Sequence, residues 1–168
     1  AYHNLPTFNG VQQLPGDEFQ ADDVVYASDD NEASLTLNIE KAYPADCGLT
    51  NWRRAVTHHR ASAVTIDDVY SFSSRPTDLE WHLMTPASVL LDESGWIQLT
   101  PASTVDDLVS GAGWVAFDPD VVDVSQEEIE ISDERMSAFW GDRLIRVTLK
   151  ARSPEADGAF TIRVTTDR

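Results

Sequence analysis

Cysteine, basic residues and long apolar runs are what this sequence has least of. The single Cys47 cannot close an internal disulfide, and no CxxC pair frames a zinc knuckle. A chain without a disulfide scaffold leans towards cytoplasm or periplasm over a disulfide-rich extracellular fold. No stretch approaches the roughly 20 apolar residues that a membrane-spanning helix requires. Twelve Lys and Arg stand against 29 Asp and Glu, a formal net charge of −17. A field of that sign repels nucleic acid and anionic membranes, so neither is an expected partner. It also works against a heavily sulfated glycan. Phosphate loops, dinucleotide fingerprints and Ser-His-Asp spacings are missing as well. The chain opens without an initiator Met or a signal-peptide pattern, and reads as a fragment of something longer.

What is present is strand rhythm. The 168 residues are 42 % hydrophobic, enough for one cored domain across 1–168. Leu79, Trp81 and Leu83 alternate with Asp78, Glu80 and His82; Leu35, Leu37 and Ile39 with Thr36, Asn38 and Glu40; Phe160, Ile162 and Val164 with Thr161, Arg163 and Thr165. Period-2 alternation marks strands with one wet face, hence antiparallel sheets. Further strands are expected at 19–28, 53–60, 62–72, 95–100, 113–118, 127–132 and 143–151. Turn chemistry separates these segments, and Asn9-Gly10 between LPTF and VQQL carries the sharpest hairpin signal. Ten to fourteen strands at this spacing predict an all-β fold, a large antiparallel multi-stranded β-sandwich with few short helices. Helical pattern is confined to one turn at 42–48 and a short helix over 133–140 with Ser132 as N-cap.

Several side-chain groups carry chemistry. Residues 118–134 hold eight carboxylates and no base; a solvated strand edge accounts for them, since the spacing is not that of a calcium loop. Asp67 and Asp68 are strand neighbours, point to opposite faces, and cannot flank one glycosidic bond as a hydrolase pair. Of the five tryptophans, Trp81 shares the phase of Leu79 and Leu83 and belongs to the core. Trp96 and Trp114 each follow a glycine at a strand start, a rim position from which an indole can stack on a sugar. Arg53, Arg54 and Arg60 form a basic cluster. They are read either as contacts for a substrate carboxylate or as partners for the surplus acids.

Two stretches resemble the β-sandwich domain that follows the helical toroid in heparinase II/III-like polysaccharide lyases. The first is Tyr2-His3-Asn4-Leu5-Pro6-Thr7-Phe8-Asn9-Gly10-Val11-Gln12-Gln13. The second is Ala42-Tyr43-Pro44-Ala45, then Trp52-Arg53-Arg54, then Val64-Thr65-Ile66-Asp67-Asp68. The likeness orders residues 1 to about 86; beyond Pro86 only strand rhythm continues. It implies the C-terminal domain of an enzyme that cleaves uronic-acid-containing polysaccharide, such as a glycosaminoglycan, by β-elimination. That reaction needs a neutralised carboxylate, a base for the C5 proton and an acid for the leaving oxygen. The resemblance implies that His3 is contributed to the parent's active site, with Asn4, Arg53 and Arg54 as substrate contacts. It also implies that the domain's partner is the chain's own N-terminal helical toroid. Some relatives hold a metal here. His3, Asp22 or Asp23, and His58 or His59 stand in the matching order and would suit Zn²⁺. This chain has His3-Asn4-Leu5 where such members carry His-x-His, and adjacent His58 and His59 face opposite sides of a strand. The reading from another class is a non-catalytic carbohydrate-binding or adhesive β-sandwich.

Overall fold

The computed structural model describes residues 3–92, 94–101 and 111–168. Among these residues the chain forms strands β1 (Pro6–Phe8), β2 (Asp22–Ser28), β3 (Glu32–Asn38), β4 (Leu49–His59), β5 (Ala63–Phe72) and β6 (Leu79–Thr85). They are followed by β7 (Ser88–Asp92), β8 (Trp96–Thr100), β9 (Gly113–Ala116), β10 (Val122–Glu130), β11 (Arg143–Ala151) and β12 (Asp157–Thr165). One helix, α1 (Glu134–Trp140), joins β10 to β11, and a 3₁₀ turn occupies Glu40–Ala42. The strands pair antiparallel in two sheets, of order β1-β6-β11-β10 and β2-β3-β4-β5-β12-β9-β8-β7. The fold is the all-β antiparallel sandwich that the alternation predicts.

Alternation decides which face β6 and β12 bury, whereas β2 and β3 bury no residue. Leu79 and Trp81 of β6 are 0 % and 3 % exposed, and on β11 Leu149, opposite Trp81, and Val147, opposite Leu83, are equally buried. Across the interface Trp81 stacks on Phe160 of β12 at 4.2 Å between ring centroids. Trp52 lies 5.2 Å from Tyr70, and Phe8 lies 4.9 Å from Phe72 and 5.0 Å from Tyr43. This aromatic cluster rivets the two sheets together; truncating any one member to Ala costs about 3–5 kcal/mol. The Tyr43 hydroxyl donates to the Pro6 carbonyl at 2.7 Å. Burial holds its ionisation well above the usual tyrosine range.

The structure corrects several boundaries. Asn9 and Gly10 do form a tight turn, with φ of 50° and 70°. The turn closes on one bridge only, Phe8 to Val11; β1 takes its ladder from β6 instead, because Phe8 must reach the aromatic cluster. Asp133, not Ser132, caps α1, its carboxylate accepting from the amides of Arg135 and Met136 at 2.9 and 3.0 Å. The turn expected over 42–48 lies earlier, at Glu40–Ala42. Strand β7, SVLLD, has no alternation to announce it. The acidic run is mostly β10, an edge strand whose Glu127, Glu128 and Asp123 pair with Arg146, Arg143 and Arg152 of β11 and the turn after it. That arrangement leaves a charged edge unattractive to further strands.

Pairing register also gathers distant segments. Thr85 stands opposite Ile145, which stands opposite Glu128. The end of β10 and helix α1 therefore lie at the end of the sandwich where residues 3–5 lead into β1. Helix α1 buries no residue, and Met136, Phe139 and Trp140 are 45, 76 and 49 % exposed there.

Candidate functional site

The site grows from a buried charge. Asp68 sits in the inward phase of β5 with its side chain 1 % exposed. A lone carboxylate there would be intolerable, so its oxygens are fully engaged. Arg54 donates Nε to Oδ1 at 2.7 Å and Nη2 to Oδ2 at 2.6 Å, and the Trp81 indole donates to Oδ2 at 2.9 Å. The remaining Arg54 nitrogen, Nη1, reaches the Asn4 carbonyl at 3.4 Å. The Asn4 side-chain oxygen in turn accepts from the Met84 amide. Two anchors thus fix the short segment that carries His3 against the end of β6.

His3 is exposed and lines a hollow of about 20 Å³ with Leu5, Pro6, Thr7, Gln12, Gln13 and His82. The hollow is water-sized. His82 is its second imidazole, in the outward phase of β6. Its Nε2 is 2.9 Å from the Thr7 hydroxyl and its Nδ1 is 3.2 Å from the Thr148 hydroxyl. Burial lowers the His82 pKa against the opposing pull of Glu80, whose carboxylate lies 3.8 Å away. A neutral ring then has one nitrogen to donate and one to accept, and the two hydroxyls satisfy both. Glu80 is held in place by Lys150 at 2.8 Å. Sequence periodicity put His82 in a wet phase but carried no sign that Thr7 would arrive beside it.

The expected site residues separate into groups. His3 and Asn4 lie together. Arg54 faces inward and is consumed by Asp68, so it positions Asn4 and is not free to meet a substrate carboxylate. Arg53 points to the opposite, outer face of the same strand and is exposed. The metal set does not converge. Asp22 pairs with Asn38, whereas His58 pairs with Ala33, five residues along β3, or about 17 Å. Asp22 is bound by Lys41, and the alternative Asp23 accepts from Asn38 at 3.1 Å. His59, the other alternative, faces Glu32 at 3.3 Å. Among the described residues no group of three or more His, Cys, Asp or Glu is arranged to hold a metal ion, so the zinc expectation does not fit these residues.

The rim tryptophans do meet. Trp96 of β8 and Trp114 of β9 pack edge to face at 6.3 Å between centroids on the outer face of the eight-stranded sheet. The Arg168 guanidinium lies 5.7 Å from the first ring centre and 5.2 Å from the second.

No family model matches the sequence, and no curated protein matches it. Solved structures do match the fold. Heparan sulfate lyase HepC from Pedobacter heparinus superposes with a TM-score of 0.69 at 13 % identity, over 97 % of this chain and 24 % of that one. A heparinase III structure gives 0.66 at 12 % identity, over 96 % and 23 %. The chain spans about a quarter of the length of these proteins. By fold, this chain is a heparinase-like β-sandwich.

Proposed function

We propose that this chain is the β-sandwich domain of a lyase that cleaves uronic-acid-containing polysaccharide by β-elimination. It would brace a helical domain, wall one side of the cleft and present His3 to it. The observation that carries the reading is the fold match across 97 % of the chain to a heparan sulfate lyase four times its length. The anchoring of His3 agrees with it: an imidazole meant to act on another domain's substrate must be exposed yet held in place. The Asp68–Arg54–Asn4 relay meets both needs. The apolar face of α1, at the same end of the sandwich, offers Met136, Phe139 and Trp140 for the helical domain to cover.

In such a reaction the C5–H bond breaks, its electron pair forms the C4–C5 double bond, and the C4–O bond breaks with protonation of the leaving oxygen. An exposed imidazole such as His3 has the chemistry to pass a proton to or from either centre. Neutralising the uronate carboxylate falls to groups on the other domain, because Arg54, the guanidinium that anchors Asn4, is already spent on Asp68.

The test is made on a protein carrying both domains. His3→Ala and His3→Gln are compared with the parent on a panel of uronate polysaccharides, following ultraviolet absorbance of the unsaturated product. A loss of about 10²-fold or more in turnover, with the unfolding midpoint unchanged, supports the reading. No absorbance rise on any substrate from the parent sinks it.

A further inference from the structure

A second patch of the molecule has the composition of an acidic-sugar subsite. Of the twelve basic residues, eight form ion pairs with carboxylates: Lys41, Arg54, Arg75, Arg143, Arg146, Lys150, Arg152 and Arg168. Among the described residues the other four, Arg53, Arg60, Arg135 and Arg163, make no such pair, although carboxylates outnumber bases by more than two to one; of these, Arg163 shares a row with Trp96. Its register explains where it points. Arg163 of β12 stands opposite Ala116 of β9, and Ala116 stands opposite Trp96 of β8. The row ends at Asp92 of β7, opposite Trp96. Arg163 and Trp96 are thus two strand spacings apart, about 10 Å, with only a methyl group between them. Trp114, two residues from Ala116 along β9 on the same face, meets Trp96 edge to face.

The far side holds a second guanidinium. Arg168 donates Nη2 to Asp92 at 2.8 Å and to Ser94 at 3.0 Å, and lies over both indoles. Two indoles, the Ala116 methyl and the guanidiniums of Arg163 and Arg168 on one outer face suit a ring with apolar C–H faces and an anionic substituent. A nucleic acid would bring many phosphates against a −17 chain, and a neutral sugar would leave Arg163 unused.

We propose that this outer face, around Trp96, Trp114, Arg163 and Arg168, binds a uronate-bearing saccharide, away from the end of the sandwich that carries His3. The choice of uronate rests on the lyase reading above; the site itself rests on the aromatic and guanidinium geometry. It would hold a polysaccharide strand at a distance from the cleft, raising its local concentration there.

The experiment is calorimetric titration of the 168-residue chain at low ionic strength with a hexasaccharide of alternating glucuronate and N-acetylglucosamine, with a neutral glucose hexasaccharide as control. Binding should be confined to the uronate ligand and weaken as salt is added. Arg163→Gln, an exposed change that leaves the core intact, should weaken it about tenfold or more, and Trp96→Ala likewise. His3→Ala should leave it unchanged. Absence of binding overturns the site, as does affinity equal for the neutral ligand or unaltered by Arg163→Gln. None of these results touches the lyase reading, which product absorbance from the two-domain protein decides separately.

Discussion

Arg54 and Asp68 meet fork to fork at 2.7 and 2.6 Å with the carboxylate shut off from solvent, and Arg54 spends its third nitrogen on the backbone of Asn4. One ion pair therefore serves both the interior and the segment that bears His3.

Breaking that pair from either side should be severe. Asp68→Ala leaves a guanidinium and an indole without their acceptor and should cost about 3–5 kcal/mol in urea unfolding. Replacing both partners together, Arg54→Met with Asp68→Leu, should cost clearly less than the two single changes summed. Additive losses would show that the two side chains act independently.

The two central tryptophans should respond differently to the same chemistry. Trp81 donates its indole N–H to Asp68 at 2.9 Å, whereas the Trp52 Nε1 is buried with no acceptor among the described residues. Trp81→Phe should therefore cost about 1.5–3 kcal/mol more than Trp52→Phe, the value of a hydrogen bond to a charged group. Denaturant midpoints of the two variants at equal m-value make the comparison.

His82 gives a pH dependence of definite sign. Burial depresses its pKa below the ordinary 6.5, so the unfolded chain binds this proton more readily than the folded one. The stability from the neutral ring is complete above about pH 6.5 and is lost as pH falls through the depressed folded value. Unfolding midpoints should drop across that interval, and His82→Gln should flatten the drop relative to the parent. Equal slopes in the two proteins would show that the carboxylates alone govern this range.

Helix α1 should matter little to the isolated sandwich. Phe139→Ser and Trp140→Gln remove side chains that are 76 and 49 % exposed, and should shift stability by no more than about 0.5 kcal/mol. In a protein that includes the helical domain the same changes should lower the temperature at which the two domains unfold together. Scanning calorimetry of both forms reads the difference.

Much of the sandwich was legible along the chain. The phases of β6 and β12 announced their buried faces, and Trp81 fell in the core phase with Leu79 and Leu83; the alternation in β3 did not, since Leu35 is 39 % exposed and only Leu37 packs against the core. Asp67 and Asp68 do diverge: Asp67 accepts from Thr161 at 2.6 Å on the outer face, while Asp68 is buried. Strand β7 escaped because VLL has no alternation, and the Asn9-Gly10 turn was read as a longer hairpin because turn chemistry cannot say how far a ladder runs. Of the two readings of Arg54, substrate contact or partner for a surplus acid, the pairing with Asp68 fits the second, and which acid it meets was hidden because Asp68 lies fourteen residues away on the next strand.

The sequence by itself determined the class of fold, the faces of its principal strands and the sign of its surface field, because period-2 alternation and net charge are local or summed properties. Tertiary structure alone decided which residues share a site. The β1–β6 ladder brings Thr7 to His82 across 75 residues, and the paired strands bring Trp114 to Trp96 and Arg168 to both. Those contacts depend on pairing order and register across two sheets, and register is fixed by the packing of the whole core.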